Sequence, residues 1–187
     1  MADLTHMEKK ELLALARNTI KKYLTGGERA DPPLDKPVFL EKRGVFVTLH
    51  RNGELRGCIG YPLPYKPLGE AVVDNAIAAA SEDPRFPAVS SAELGELDIE
   101  ISVLTVPQKV AGPDQVQVGR DGIIISKGFQ RGLLLPQVPV EQGWDLEQYI
   151  SYGCRKAGLA PDEWERGVQI EVFQAAVFGE KEMGEEP

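Results

Sequence analysis

The order of patterns along the chain predicts an α+β fold, a largely antiparallel sheet with flanking helices. Three observations carry that prediction. Strand-like runs come in neighbouring pairs joined by turn residues, and helical periodicity is confined to a few separate segments. No regular strand–helix–strand alternation of a doubly wound sheet runs through the sequence. The 187 residues suffice for one sizeable core, or for one core with a smaller lobe.

Thr5-His6-Met7-Glu8 has the spacing of a capping box, in which the Thr hydroxyl accepts an orphan backbone N–H and the Glu reaches back. Leu12, Leu13, Ala16, Ile20 and Tyr23 then recur at helical spacing until Gly26-Gly27 ends the helix. Residues 28–37 form a charged, proline-rich connector. GVFVTLH (44–50) and LRGCIGY (55–61) flank Asn52-Gly53, the strongest short-range hairpin signal, because its turn needs positive φ at both central residues. A regular ladder from that turn pairs Arg51 with Glu54, Leu49 with Arg56 and Val47 with Cys58. It puts Val47, Leu49, Arg56 and Cys58 on one face, and Phe46, Thr48, His50, Leu55 and Ile59 on the other.

Pro62, Pro64 and Pro67 make an ordered loop before an alanine-rich helix over 68–81, which Asp83-Pro84 closes. Ser91-Ala-Glu-Leu94 predicts a short helical turn, and LDIEISVLTV (97–106) a half-buried strand. Residues 115–118 and 123–126 around Gly119–Gly122 predict a second hairpin. Leu133–Val138 predicts an edge strand disturbed by Pro136 and Pro139. Asp145 caps a helix through Ala157 that Gly158 closes, a short turn follows at 161–164, and 168–178 reads as one last strand. The final residues, 181–187 above all, read as a solvated tail.

Composition excludes several function classes. With 21 basic against 29 acidic residues the net charge is −8, which argues against a broad nucleic-acid surface. No apolar run approaches the ~20 residues of a membrane span, and the first residues lack a signal-peptide pattern, so the expected location is cytoplasmic. Cys58 and Cys154 stand far apart with no CxxC and are expected to be free thiols. With only His6 and His50 to supply imidazole, no metal site is expected within one subunit. Phosphate-loop, nucleophile-elbow, HExxH and dinucleotide motifs are absent.

Cys58 is the residue that most invites a chemical reading. A free cysteine is often a small buried hydrophobe. Here Arg56 stands one pleat away on the same strand, about 6–7 Å along it, and a guanidinium close to a thiol favours its ionised form. Gly57 and Gly60 suit close approach by a ligand, a bulge, or tight packing against the alanine helix. Arg85 on the proline-stiffened stretch Asp83-Pro-Arg-Phe86 reads either as a local ion pair at a helix end or as half of a two-arginine anion clamp with Arg56. Asn75, set in an alanine-rich helix, must find partners for its amide if buried. Asp98 and Glu100 share a strand face and are read as its solvent side. Trp144 and Trp164 are expected to anchor the core, and Cys154 to pack there. His50, opposite Cys58 in the regular register, is expected out of hydrogen-bond reach.

Several motifs together resemble the AMMECR domain family: LRGCIG (55–60), the A-x-x-AA-x-x-DPRF run ending at Phe86, EISVL (100–104), GLLLPQV (132–138) and CRKAGL (154–159). They follow one another across roughly residues 8–180 of a single such domain. The resemblance implies an α+β fold with a larger and a smaller subdomain and a cleft near the LRGCIG strand. It also implies gene association with Memo-like and radical-SAM proteins, which become the expected protein partners, and it supplies no reaction. By motif match it singles out Arg56, Gly57, Cys58, Gly60, Asp83, Arg85 and Phe86.

These readings converge on a small-molecule pocket for an anionic ligand, formed by Arg56, Gly57, Gly60, Asn75, Asp83, Arg85 and Phe86. Cys58 is the candidate nucleophile, Arg56 its activator, and no cofactor is called for. The rival reading is a non-enzymatic adaptor with an inert, buried Cys58.

Overall fold

A computed structural model describes residues 4–32 and 36–184. The connector therefore falls partly, and the last three residues of the expected tail wholly, outside the described residues. The chain forms α1 (His6–Gly26), α2 (Pro37–Leu40), β1 (Gly44–Arg51), β2 (Glu54–Tyr61), α3 (Leu68–Ser81), β3 (Leu97–Leu104) and β4 (Gln108–Val110). It continues through β5 (Gly122–Lys127), β6 (Gln130–Leu134), α4 (Gln137–Gln142), α5 (Leu146–Lys156), β7 (Gln169–Phe173), β8 (Ala175–Gly179) and α6 (Glu180–Gly184). Two compact units result, one of residues 1–104 with 176–187, the other of residues 105–175.

The first unit is built on a sheet in the order β2-β1-β3-β8. Val45, Val47 and Leu49 of β1 lie opposite Val103, Ile101 and Ile99 of β3, and all six are buried. Against this face pack Leu12, Leu13, Ala16 and Ile20 of α1 and Ala71, Val72, Ala76 and Ala79 of α3. Fully burying a residue of the Leu or Ile kind is worth about 1.5–3 kcal/mol, so this inner face supplies most of what holds the unit together. Thr5 caps α1 with the expected box, donating its backbone N–H to Glu8 at 2.7 Å and accepting from the Glu8 N–H at 3.3 Å. Gly27 ends the helix in the left-handed region at φ 71°.

The second unit has a sheet in the order β4-β7-β5-β6. Ile123, Ile125 and Ile170 pack with Tyr149, Ile150 and Cys154 of α5, and Trp144 and Trp164 lean on that core half-buried. Asp145 and Gln148 form the N-terminal box of α5.

Four expectations are corrected. Residues 115–118 are not a strand: Asp121 accepts from the Gln117 N–H at 2.9 Å and closes this stretch as a turn. The second hairpin is β5–β6, turning at Gly128 with φ 60°. Pro136 starts α4 instead of disturbing a strand, since its fixed φ suits a helix start. The strand expected at 168–178 divides into β7 and β8, which belong to different sheets. In place of a tail, α6 packs on the first core through Met183, while Glu180 accepts the Ile99 N–H at 2.9 Å and pairs with Arg17.

Candidate functional site

The Asn52-Gly53 turn forms as expected, with φ 55° and 85°, and Arg51 lies opposite Glu54. Beyond it the register departs from a regular ladder. His50 pairs with Leu55 and Leu49 with Gly57, so Arg56 is an extra residue on β2 and the strand bulges there. Everything past the bulge changes face. Cys58 lies opposite Thr48, not Val47, and shares the outer face with Phe46, Thr48 and His50. His50 is therefore on the same side as Cys58, contrary to the expectation. Among the described residues no hydrogen bond joins the two, and the opposite-face argument for keeping them out of reach does not apply.

The bulge accommodates a contact with α3, distant in the chain. A Cβ on Gly57 would lie 2.2 Å from the Ala79 carbonyl oxygen, so this residue must face α3, where only glycine fits. Arg56 is turned to the sheet edge. It donates to Glu93 at 2.9 Å and to the carbonyls of Pro87 at 2.8 Å and Ala88 at 3.4 Å. The Arg56 hydrogen bonds hold the Glu93 carboxyl down at about 2, helped by the Ser90 backbone N–H. The guanidinium expected to activate Cys58 thus has its charge balanced by Glu93.

β2 is an edge strand, and Asp83 and Arg85 occupy its open side. The Cys58 N–H donates to Asp83 Oδ2 at 2.8 Å, and Arg85 Nη2 approaches the Cys58 carbonyl at 3.4 Å. Asp83 also accepts from Arg85 Nε at 2.9 Å, Nη2 at 2.7 Å and backbone N at 3.1 Å. This carboxylate is buried, and the Arg85 hydrogen bonds, with those of the Cys58 and Arg85 backbones, hold it far below the usual carboxylate range. The DPRF stretch stands in for a neighbouring strand and closes the edge against other chains. Because both backbone groups of Cys58 point outward, Cys58–Thr48 is a non-hydrogen-bonded pair, the kind in which side chains stand closest. Thr48 Oγ1 donates to Cys58 Sγ at 3.2 Å.

Arg85 is the cation that faces the sulfur. Asp83 is the main reason its guanidinium holds its proton beyond the usual arginine range, and Cys58 acts in the same direction more weakly. The Arg85 side chain is 55% exposed and lies 5.5 Å from the centre of the Phe86 ring. Cys58 is half-buried and free. Asn75 is buried and donates to the Val45 carbonyl at 3.1 Å, pinning α3 to β1. A Cβ on Gly60 would meet Phe46 Cα at 2.5 Å and its ring at 2.6 Å, so Gly60 makes room for Phe46. Burial lifts the Cys154 thiol above its ordinary value.

Sequence reasoning missed Thr48, whose part depends on the bulge, and Glu93, whose capping box with Ser90 was legible as S-x-x-E. Among the described residues, no three His, Cys, Asp or Glu side chains are arranged to hold a metal ion. No helix among them is long and apolar enough to cross a membrane. A groove of about 260 Å³ between α1 and α6, lined by Leu13, Ala14, Met183 and the Arg17–Glu180 pair, contains no residue of this edge.

The arrangement defines an α+β protein of two units with a thiol, a hydroxyl and a guanidinium gathered at one sheet edge. The AMMECR1 family model matches residues 13–178, and the chain belongs to that family. It is 50% identical over 182 residues to a protein of Thermococcus gammatolerans, covering 91% of this chain and 89% of that one. It is 44% identical to a protein of Methanosarcina mazei, covering 96% and 94% of the two chains. The crystal structure of an uncharacterised protein from Pyrococcus horikoshii has the same fold, with a TM-score of 0.77 at 47% identity over 91% of this chain and 90% of that one.

Proposed function

We propose that the β2 edge is a small-molecule site in which Cys58 is the nucleophile and Arg85 receives an anionic group of the ligand. One observation carries this reading: the half-buried Cys58 sulfur lies between a hydroxyl donor, Thr48 Oγ1 at 3.2 Å, and the exposed Arg85 guanidinium. The guanidinium offers an anionic ligand a partner beside the sulfur. Arg85 takes the activating part that the sequence assigns to Arg56, and Asp83 fixes its direction by a bidentate pair. Arg56, Gly57, Gly60 and Asn75 support the site from behind. In the reaction the sulfur electron pair forms a bond to a carbon of an acidic ligand while that carbon's bond to a leaving group breaks, the leaving group departing with the bonding pair and the thiol proton passing to water. The family resemblance supports a cytoplasmic modification pathway with a Memo-like or radical-SAM protein as the setting.

Paired alkylating agents test this. Iodoacetate and iodoacetamide both transfer carbon to sulfur with loss of iodide, and only the first carries a carboxylate. Relative to a free thiol, the preference of Cys58 for iodoacetate should rise about tenfold, some 1.4 kcal/mol, and return to the free-thiol value in Arg85→Gln. Mass spectrometry of the labelled peptide separates Cys58 from buried Cys154. A Cys58 that reacts no faster than a free thiol near neutral pH removes the nucleophile and leaves the adaptor reading.

A further inference from the structure

An edge strand presents a row of backbone groups, and on β2 that row stays open for one residue beside the thiol. Cys58 turns its N–H and its carbonyl outward, to Asp83 and Arg85. Ile59 then pairs with Val47 and Gly60 with Phe46 in unbroken register, so outward-facing groups return at Gly60. Among the described residues neither the N–H nor the carbonyl of Gly60 makes a hydrogen bond, and Gly60 is half-buried. The next residue in that alternation, Pro62, has no N–H, and β2 ends at Tyr61. The Asp83–Arg85 pair thus closes the edge on one side of Gly60, and the proline ends it on the other.

Arg85 stands on the N–H side of this opening. Asp83 takes up its Nε and Nη2, and Nη2 also approaches the Cys58 carbonyl, which leaves Nη1 without an acceptor among the described residues. Residues two apart on a strand are about 6–7 Å apart, so the Cys58 carbonyl that holds Arg85 and the Gly60 N–H are consecutive groups of one edge. Three groups follow one another there: a charged donor, Arg85 Nη1; a neutral donor, the Gly60 N–H; and an acceptor, the Gly60 carbonyl.

We infer that this notch takes an α-amido carboxylate, the end of an acylated amino acid or of a polypeptide chain, laid antiparallel to β2. The inference rests on the anion site proposed above and names its ligand class. The ligand carboxylate accepts from the Gly60 N–H and Arg85 Nη1, and the ligand amide N–H donates to the Gly60 carbonyl. Direction follows from the order of the groups. An antiparallel chain runs toward Cys58 and brings its carboxyl end to the guanidinium, whereas a parallel one would bring its amino end there. Opposed residues share a face, so the ligand side chain stands on the outer face with the Cys58 sulfur. Gly60 has no side chain to contest that place, and the Phe46 ring flanks it, 2.6 Å from where a Cβ would be. Pro62 leaves no donor for a second ligand residue, which sets this notch apart from general strand addition.

Amide NMR of the full chain, titrated with N-acetyl-L-alanine, tests this without calling on a reactive thiol. The Gly60 amide should shift as the probe binds. O-acetyl-L-lactate, in which an oxygen replaces the N–H, should bind about fivefold more weakly. N-acetyl-L-alaninamide, which lacks the charge, should bind about tenfold more weakly. In Arg85→Gln the acid and its carboxamide should bind alike while the preference for amide over ester remains, and the amides of α1 report that the variant is folded. N-acetyl-trialanine distinguishes the sources: equal affinity marks a free acylated amino acid as sufficient, and tighter binding marks a polypeptide end. An ester that binds as tightly as the amide overturns the inference. So does a Gly60 amide that N-acetyl-L-alanine leaves unmoved. Either result can occur with the iodoacetate preference of Cys58 intact, so the ligand class and the thiol site fail separately.

Discussion

The two sheets solve the same packing problem and close their edges differently. In each, the outer strand of a hairpin carries a glycine directly beneath a helix. Gly57 of β2 sits under the Ala79 carbonyl, where a Cβ would come within 2.2 Å, and Gly132 of β6 sits under the Ala157 nitrogen, where a Cβ would come within 2.3 Å. The edge groups then diverge. On β6 the groups are neutral: the Tyr149 hydroxyl shares its one proton among the carbonyls of Asp121 at 3.1 Å and of Leu134 and Leu135 at 3.3 Å, and Gln130 donates to Gly158 at 2.7 Å. On β2 they are ionic, through Asp83, Arg85, Arg56 and Glu93. A neutral closure only finishes a sheet, whereas an ionic one also leaves a positioned charge beside a thiol.

The largest effect on this comparison should come from the shared device. Gly57→Ala and Gly132→Ala each force a methyl into backbone and should cost about 3 kcal/mol, read as a fall in the urea midpoint of unfolding. Similar losses would show that both sheets depend on the same close approach, and a harmless Gly57→Ala would break the explanation of the bulge. Next come the closures themselves. Asp83→Asn removes a buried acceptor of charge-assisted bonds and should cost about 2–3 kcal/mol, against about 1 kcal/mol for the neutral Tyr149→Phe.

The smallest effect is acid sensitivity. Arg56 and Ser90 hold Glu93 at about 2, below its ordinary 4.5, and Arg85 together with the Cys58 and Arg85 backbones holds Asp83 lower still. A carboxylate depressed in the folded state contributes its full stability above its ordinary value and loses it as pH falls through the folded value. Urea midpoints should therefore drop between pH 4.5 and 2, and the drop should be shallower in Glu93→Gln.

The sequence carried the elements well wherever a local signal decided them. Thr5 and Glu8, Asn52-Gly53, Asp83-Pro84 and Asp145 each set a boundary by chemistry within four residues, and α3 spans the stretch its alanines predict. Family motifs likewise named two stretches, LRGCIG and DPRF, that meet at the β2 edge. What failed was the face of Cys58. The turn dictates only the first pairs of the ladder, and one extra residue at Arg56 reverses every side chain beyond it. The cause, the Ala79 carbonyl over Gly57, lies 22 positions along the chain and leaves no local trace. The break of the last strand at Gln174 is similar, since apolar alternation continues through it while the partners change.

That break has a topological consequence. Thr105 donates its N–H to the Gln174 carbonyl at 2.9 Å, and the Gln174 N–H returns to Thr105 Oγ1 at 2.9 Å. The second unit is an insertion in the chain of the first, and its own two ends are held to each other by these bonds. A detour whose ends meet adds no span to the chain it interrupts, so β3 and β8 on either side of it stay neighbours in one sheet.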